Sequence, residues 1–315
     1  MNNLIKEYKT AINNRLNIVY PDGPKLLKEP INHILKGGKR IRPLLCMLVN
    51  NACGGRKKDS IDVAVSIELL HIFSLVHDDI MDADILRHGI QTIHKKWDNS
   101  IAILSGDAIL ALAFKGLNTS SNLIIQKFNS ALIAVCEGQA LDIEFQDLEN
   151  ISLEQYYNMI NLKTAYMLGL SAEIGALISS QDSLIAKNFK KIGLLLGKVF
   201  QIQDDLLEVT SDSKIMGKSL SSDIILNKKT YLMIKAESKC PSELDYIYKE
   251  NYKDLDVLKH KIVDFLDSNN IIEETKDYIN SIFNEIDRLL DSCVIENNNI
   301  LDLINFIRTR KSWNR

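Results

Sequence analysis

Between residues 61 and 82 the positions Val63, Ile67, Leu70, Ser74, His77 and Met81 recur every three or four residues. That spacing predicts a helix. The run from Leu69 to Val76 is apolar enough to require burial, yet the same helix ends in DDIMD. His71, Asp78 and Asp82 lie seven and four residues apart. At about 100° per residue they share one face to within roughly 40°. Ser74 and Leu75 lie along that stripe and Asp79 sits beside it. Three carboxylates at the end of a buried helix repel one another and are costly to desolvate unless a cation compensates them. Converging oxygens without cysteine favour a hard ion, and the lack of an EF-hand glycine and ligand spacing favours Mg²⁺. Alone, a DDxxD run is a weak signal, because helix ends that run into solvent are often acidic.

A second stripe gives the first its weight. In KVFQIQDDLLEVTSD, Gln201, Asp204, Asp205 and Glu208 fall at i, i+3, i+4 and i+7, while Val199, Ile202, Leu206 and Val209 occupy the opposite face. If two such helices face each other, they enclose an acidic cleft. Positive partners are at hand in short clusters: GGKRIRP at 37–43, Arg87, Lys163, Lys218 and Lys228. Lys and Arg suit phosphate oxygens, Arg with a bidentate fork. Carboxylates for Mg²⁺, a phosphate grip and an apolar helical interior together suit a diphosphate with a hydrocarbon tail.

The rest of the chain fits a helical frame. Only 5 prolines and 14 glycines occur in 315 residues, too few for the turns of a sandwich or barrel. Long helical periods recur over 187–209 and 258–291, and the short breaks fall at 21–24, 53–58, 118–122, 211–216 and 239–241. Ser152 is an expected N-cap. The expectation is one all-α domain over residues 1–315, a bundle of roughly ten or more helices around a central cavity. The formal charge of −3 argues against a nucleic-acid partner. Five scattered cysteines form no CxxC pair and indicate neither a zinc site nor a disulfide framework. The N-terminus has no apolar leader, and Asp107 and Glu173 interrupt the longest apolar runs, so no membrane insertion and a cytoplasmic location are expected. The basic C-terminal RTRKSWNR reads as a solvated tail.

In order along the chain stand GGKRIRP (37–43), HIFSLVHDDIMD (71–82), LSGDAIL (104–110), GQALD (138–142), KTAYM (163–167), FQIQDD (200–205), GKSLSSDI (217–224) and NKKT (227–230). This series resembles the trans-isoprenyl diphosphate synthases, or polyprenyl synthetases, with their isoprenoid-synthase type of all-α bundle. The resemblance implies an Mg²⁺-dependent prenyltransferase that joins isopentenyl diphosphate head to tail to an allylic diphosphate. It implies three Mg²⁺ ions, two held by Asp78 and Asp82 and one by Asp204, with Asp79 completing the first motif and Asp205 and Glu208 ordering metal-bound water. Arg87, Lys163, Lys218 and Lys228 would grip the allylic diphosphate, and Lys39, Arg42 and His71 isopentenyl diphosphate. Thr164 and Gln201 would lie near the developing cation, with Gln139 and Asp142 behind the metals. A homodimer is expected.

Two positions depart from the family pattern. LRHG replaces LRRG, so His88 stands where a second Arg normally grips isopentenyl diphosphate. Glu208 replaces the last Asp of the second motif. Both keep open an alternative, a non-catalytic subunit of a heteromeric synthase. For product length, Phe73 five residues before Asp78 and Ser74 four before it lean to a twenty-carbon geranylgeranyl product, with fifteen-carbon farnesyl next. The helical wheel places Ser74 about 40° and Phe73 about 140° from Asp78, so the wheel alone does not choose Phe73 as a floor.

Overall fold

The structure is a computed structural model that describes residues 3–179, 182–210, 228–249, 252, 255–293, 295 and 298–310. The chain opens with α1 (Asn3–Asn17), α2 (Lys25–Ile34) and α3 (Ile41–Ala52). The first acidic stripe lies on α4 (Lys57–Met81), which Asp82 caps at its C-terminal end. Ser60, Ala64, Ile67, Leu70, Phe73 and Val76 of α4 are buried, each three or four residues from the next. The chain leaves α4 through Ala83 in the left-handed region, φ 54°. It then forms a two-stranded hairpin, β1 (Leu86–Arg87) against β2 (Ile90–Gln91), with His88 at φ 53° in the turn. This hairpin is the strand content among the described residues and the sequence did not announce it.

A short α5 (Ile93–Lys96) leads to α6 (Asn99–Lys115) and α7 (Asn122–Gln146). α8 (Leu153–Ile160) begins as expected at Ser152. Its hydroxyl accepts from Gln155 N at 3.2 Å, and Gln155 Oε1 accepts from Ser152 N at 2.8 Å, a reciprocal cap. The helix then widens into a π-turn over Asn161–Ala165 before α9 (Tyr166–Ser179). α10 (Ser183–Thr210) carries the second stripe. The C-terminal part comprises α11 (Tyr231–Lys239), α12 (Pro241–Lys249), α13 (Leu255–Ser268), α14 (Ile271–Ser292) and α15 (Asn298–Arg308).

The helical period over 258–291 is borne out, and the structure divides it between two helices. Asn270 sits at φ 59° and starts α14 afresh. Asn tolerates the left-handed region because its short amide satisfies local backbone groups. Across this break both halves keep an apolar face, so periodicity alone does not show it.

The centre of the bundle is α9, packed between α3 and α10, with α4 against α3 and α6. By length and composition α4 could cross a bilayer, a point the sequence reading missed, but 67% of its apolar window is buried inside the bundle. It is the core helix of this fold.

Candidate active site

The GGKRIRP segment is held by its middle residue. Arg40 takes φ 62° and is 4% exposed. Its guanidinium donates to Glu68 on α4 at 3.0 Å, to Asn13 Oδ1 at 3.0 Å and to the Leu35 carbonyl. A charge pair so deeply buried adds little net stability, but losing one partner is expensive. It ties the loop to α4 and leaves the flanking cations unspent. Lys39 Nζ and Arg42 Nε are buried with no hydrogen-bond partner. Burial, then Arg310 and Lys9, lowers the Lys39 ammonium to about 8. Burial also lowers Arg42 to about 10, against a pull from Glu68.

His71 belongs to the same pocket. Desolvation pushes its imidazole well below the usual range, helped by Arg42, His88, Arg87 and Arg40. His71 is therefore a neutral donor beside two cations. The hairpin brings His88 here too, where a side chain at Gly37 would touch its ring at 3.2 Å. Buried cationic nitrogens without hydrogen-bond partners are costly, and an anion is the kind of ligand that would relieve them.

At the C-terminal end of α4 the acids meet cations of the chain itself. Asp79 is 1% exposed and accepts from Arg87 Nε at 2.7 Å, while Arg87 Nη2 donates to Asp84 at 2.8 Å. Burial lowers Arg87, but Asp79, Asp84 and Asp78 together raise it on balance. Lys163 Nζ donates to Asp142 Oδ2 at 2.6 Å and stands 3.8 Å from Asp78 Oδ2. Burial raises Asp78 and Asp82 adds to it, outweighing the pull of Lys163.

Lys163 and Thr164 reach the cleft because they sit in the π-turn. That turn needs close backbone approach on both sides. A Cβ at Gly138 of α7 would meet Lys163 N at 2.3 Å, and one at Gly197 of α10 would meet Ala165 Cα at 2.3 Å. Thr164 Oγ1 donates to Gln201 Oε1 at 3.1 Å. Gln201 Nε2 in turn donates to Asp205 Oδ1 at 3.1 Å. Asp205 Oδ2 also accepts from Tyr156 OH at 2.6 Å and from Tyr231 N at 2.8 Å.

The two oxygens of Asp205, the residue the resemblance assigns to metal-bound water, here meet the Gln201 amide, a tyrosine and the start of α11. Asp204, one residue earlier, is 5% exposed and accepts from Arg310 beyond the end of α15. For Arg308 and Arg310 the solvated-tail reading is corrected by this contact and by Arg308, which reaches both oxygens of Asp287 at 2.7 Å, while residues 311–315 of that tail lie outside the described residues. Sequence inspection missed Arg310, because a basic residue near a chain end carries no periodic signal.

Gln139 on α7 donates to Met81 Sδ at 3.7 Å, and its Oε1 is buried without a partner. Glu208 is half-buried one turn beyond Asp204, and Lys228 lies just before α11, with its carbonyl accepting from Thr230 N. Lys218 lies outside the described residues. Phe73 is buried and meets the His77 ring edge-on at 4.7 Å, while the Ser74 hydroxyl turns back to the His71 carbonyl at 2.8 Å.

Does this donor set suit a divalent ion? Among the described residues no three His, Cys, Asp or Glu side chains form a ready metal cage. The chemistry of Asp78 and Asp82 nevertheless fits: all-oxygen donors one helical turn apart, with burial holding the Asp78 carboxyl above its usual range. Asp204 fits by donor type, and its oxygen is now held by a guanidinium.

Residues 24–265 match the polyprenyl synthetase family. The chain is 38% identical over 251 residues to geranylgeranyl diphosphate synthase of Sulfolobus acidocaldarius, covering 77% of this chain and 73% of that one. It is 38% identical over 219 residues to geranylfarnesyl diphosphate synthase of Aeropyrum pernix, covering 66% and 69%. The crystal structure of geranylgeranyl pyrophosphate synthetase from Pyrococcus horikoshii superposes with a TM-score of 0.91 at 30% identity, covering 98% of this chain and 97% of that one.

Proposed function

The chain belongs to the polyprenyl synthetase family and is a trans-prenyltransferase, and from that premise we propose that it condenses isopentenyl diphosphate with an allylic diphosphate to give a geranylgeranyl diphosphate. The observation that carries this reading is the pair of buried cationic nitrogens with no hydrogen-bond partner, Lys39 Nζ and Arg42 Nε, at the start of α3. A diphosphate is the ligand that neutralises the first group, and a second diphosphate bridged by divalent ions is the ligand that suits the carboxylates.

Lys39, Arg42, neutral His71 and His88 bind isopentenyl diphosphate in this reading. Asp78 and Asp82 would hold two Mg²⁺ ions and Asp204 a third. Bound there, Mg²⁺ supplies Lewis-acid polarisation of the leaving diphosphate. Lys163, Arg87, Lys218 and Lys228 hold the allylic diphosphate. The allylic C–O bond breaks with its electron pair going to the diphosphate. The double bond of isopentenyl diphosphate then forms the new C–C bond, and the released proton goes to pyrophosphate. Asp205 fixes the Gln201 amide so that its carbonyl receives the Thr164 hydroxyl. That leaves the Thr164 oxygen lone pairs as the oriented dipole for the allylic cation. The apolar bundle keeps water from quenching that cation.

The enzyme works in this reading as a cytoplasmic homodimer. Support comes from α6, an apolar helix whose Ile103 and Leu104 remain 49% and 52% exposed. Large apolar side chains left exposed side by side on a helix form a face that expects cover. For the product, the support is Phe73 itself, a buried aromatic on α4 five residues upstream of Asp78.

The test is a condensation assay with dimethylallyl, geranyl or farnesyl diphosphate as starter and products sized by chromatography. Wild type is expected to give twenty carbons and Phe73→Ala longer chains. Unchanged lengths in Phe73→Ala reject the floor, and absence of any elongated product rejects the reaction.

A further inference from the structure

The last described residue of the chain, Arg310, lies 8% exposed inside the fold. Its Nη2 donates to Asp204, and its guanidinium lies over the Phe200 ring at 4.2 Å, one turn earlier on α10. It also acts on Lys39, whose ammonium it helps lower. One guanidinium thus touches the second acidic stripe and neighbours the cation pocket. The segment that delivers it is anchored. Arg308 grips Asp287 with two bonds of 2.7 Å, its carbonyl accepts from Gln203 at 3.2 Å, and Ile300, Leu303, Ile304 and Ile307 of α15 are buried.

We propose that Arg310 is a built-in competitor of the divalent ion at Asp204, so that the third metal binds only as the chain end lets go. This rests on the reading of Asp204 as a metal ligand. A guanidinium and a divalent ion cannot both be the near neighbour of one carboxylate oxygen without strong repulsion in a poorly solvated site. A diphosphate shifts the balance in two ways. It brings oxygens that complete the metal's coordination. It also offers Arg310 a new anion beside Lys39, because a guanidinium forks onto phosphate oxygens as readily as onto a carboxylate. Metal and diphosphate then bind synergistically, and the ion at Asp204 is taken up late.

The experiment is Mn²⁺ binding followed by electron paramagnetic resonance, with and without inorganic pyrophosphate, on wild type, Arg310→Gln, Arg310→Lys and Asp204→Asn. Without pyrophosphate, Arg310→Gln is expected to bind one more Mn²⁺ than wild type, or to bind it about tenfold more tightly. Arg310→Lys should fall between the two. Thermal unfolding gives a second readout that survives poor expression: Mn²⁺ alone should raise the Tm of Arg310→Gln more than that of wild type. With pyrophosphate, wild type should hold one more Mn²⁺ than Asp204→Asn. If that last difference is absent, Asp204 is no metal ligand and the underlying reading fails. If it is present but wild type and Arg310→Gln share one Mn²⁺ isotherm and one Tm response without pyrophosphate, the competition itself is refuted.

Discussion

Lys39 shows how burial turns an ordinary side chain into a tuned one. Its ammonium is lowered to about 8, first by desolvation and then by Arg310 and Lys9. Below that value it is charged and grips an anion, and above it the neutral amine grips poorly. The free enzyme's kcat/KM for isopentenyl diphosphate is therefore expected to decline as pH rises through about 8. Lys39→Arg should move that limb upward, since Arg stays charged. A profile flat well into the alkaline range in wild type would remove Lys39 from the anion site. His71 adds no limb near neutrality, because desolvation and four neighbouring bases keep it neutral there. Much of this residue-level detail was legible in the sequence. The stripes on α4 and α10, the GGKRIRP cations and the Ser152 cap all follow from spacing and side-chain chemistry. Which carboxylate serves which partner did not follow. Asp204 and Asp205 are adjacent letters, and only the tertiary positions of Arg310, Tyr156 and Tyr231 assign them different tasks.

Among the elements, the π-turn over Asn161–Ala165 matters most to the site. One extra residue in a helical turn swings Lys163 toward Asp78 and Asp142 and Thr164 toward Gln201. π-turns inside helices recur at functional sites because they re-aim side chains at the cost of regular hydrogen bonding. Nothing in the local letters NLKTA announces one. The signal lies at a distance, in the absent side chains of Gly138 and Gly197. Gly138→Ala is expected to force the turn away from α7, destabilising the fold by about 1–3 kcal/mol and lowering kcat more than it raises either KM. Thermal unfolding with steady-state kinetics checks both. A variant with wild-type Tm and kcat would show that the close approach is dispensable. The Asn270 break between α13 and α14 was equally hidden, since two helices with matching apolar faces read as one.

For the whole molecule, the composition and periodicity that predict an all-α bundle are borne out, and the fold explains why the acids are buried at all. α4 and α10 are core helices, so their stripes are carried inward, and the π-turn reaches both, Lys163 toward Asp78 and Thr164 onto Gln201. The chain's own cations meet those acids there: Arg87 at Asp79, Lys163 at Asp142 and near Asp78, and Arg310 at Asp204. Lys39 Nζ and Arg42 Nε, buried with no hydrogen-bond partner, are the second and chemically distinct anion site of the proposed reading. The central claim is this division: one diphosphate held by bare cations, the other through ions on carboxylates. Steady-state kinetics of Lys39→Gln with both substrates varied measures it most directly. Losing one charged hydrogen bond should raise KM for isopentenyl diphosphate about tenfold or more, with KM for the allylic diphosphate within about twofold of wild type. Equal rises in both KM values, or a rise in the allylic one alone, would contradict the division.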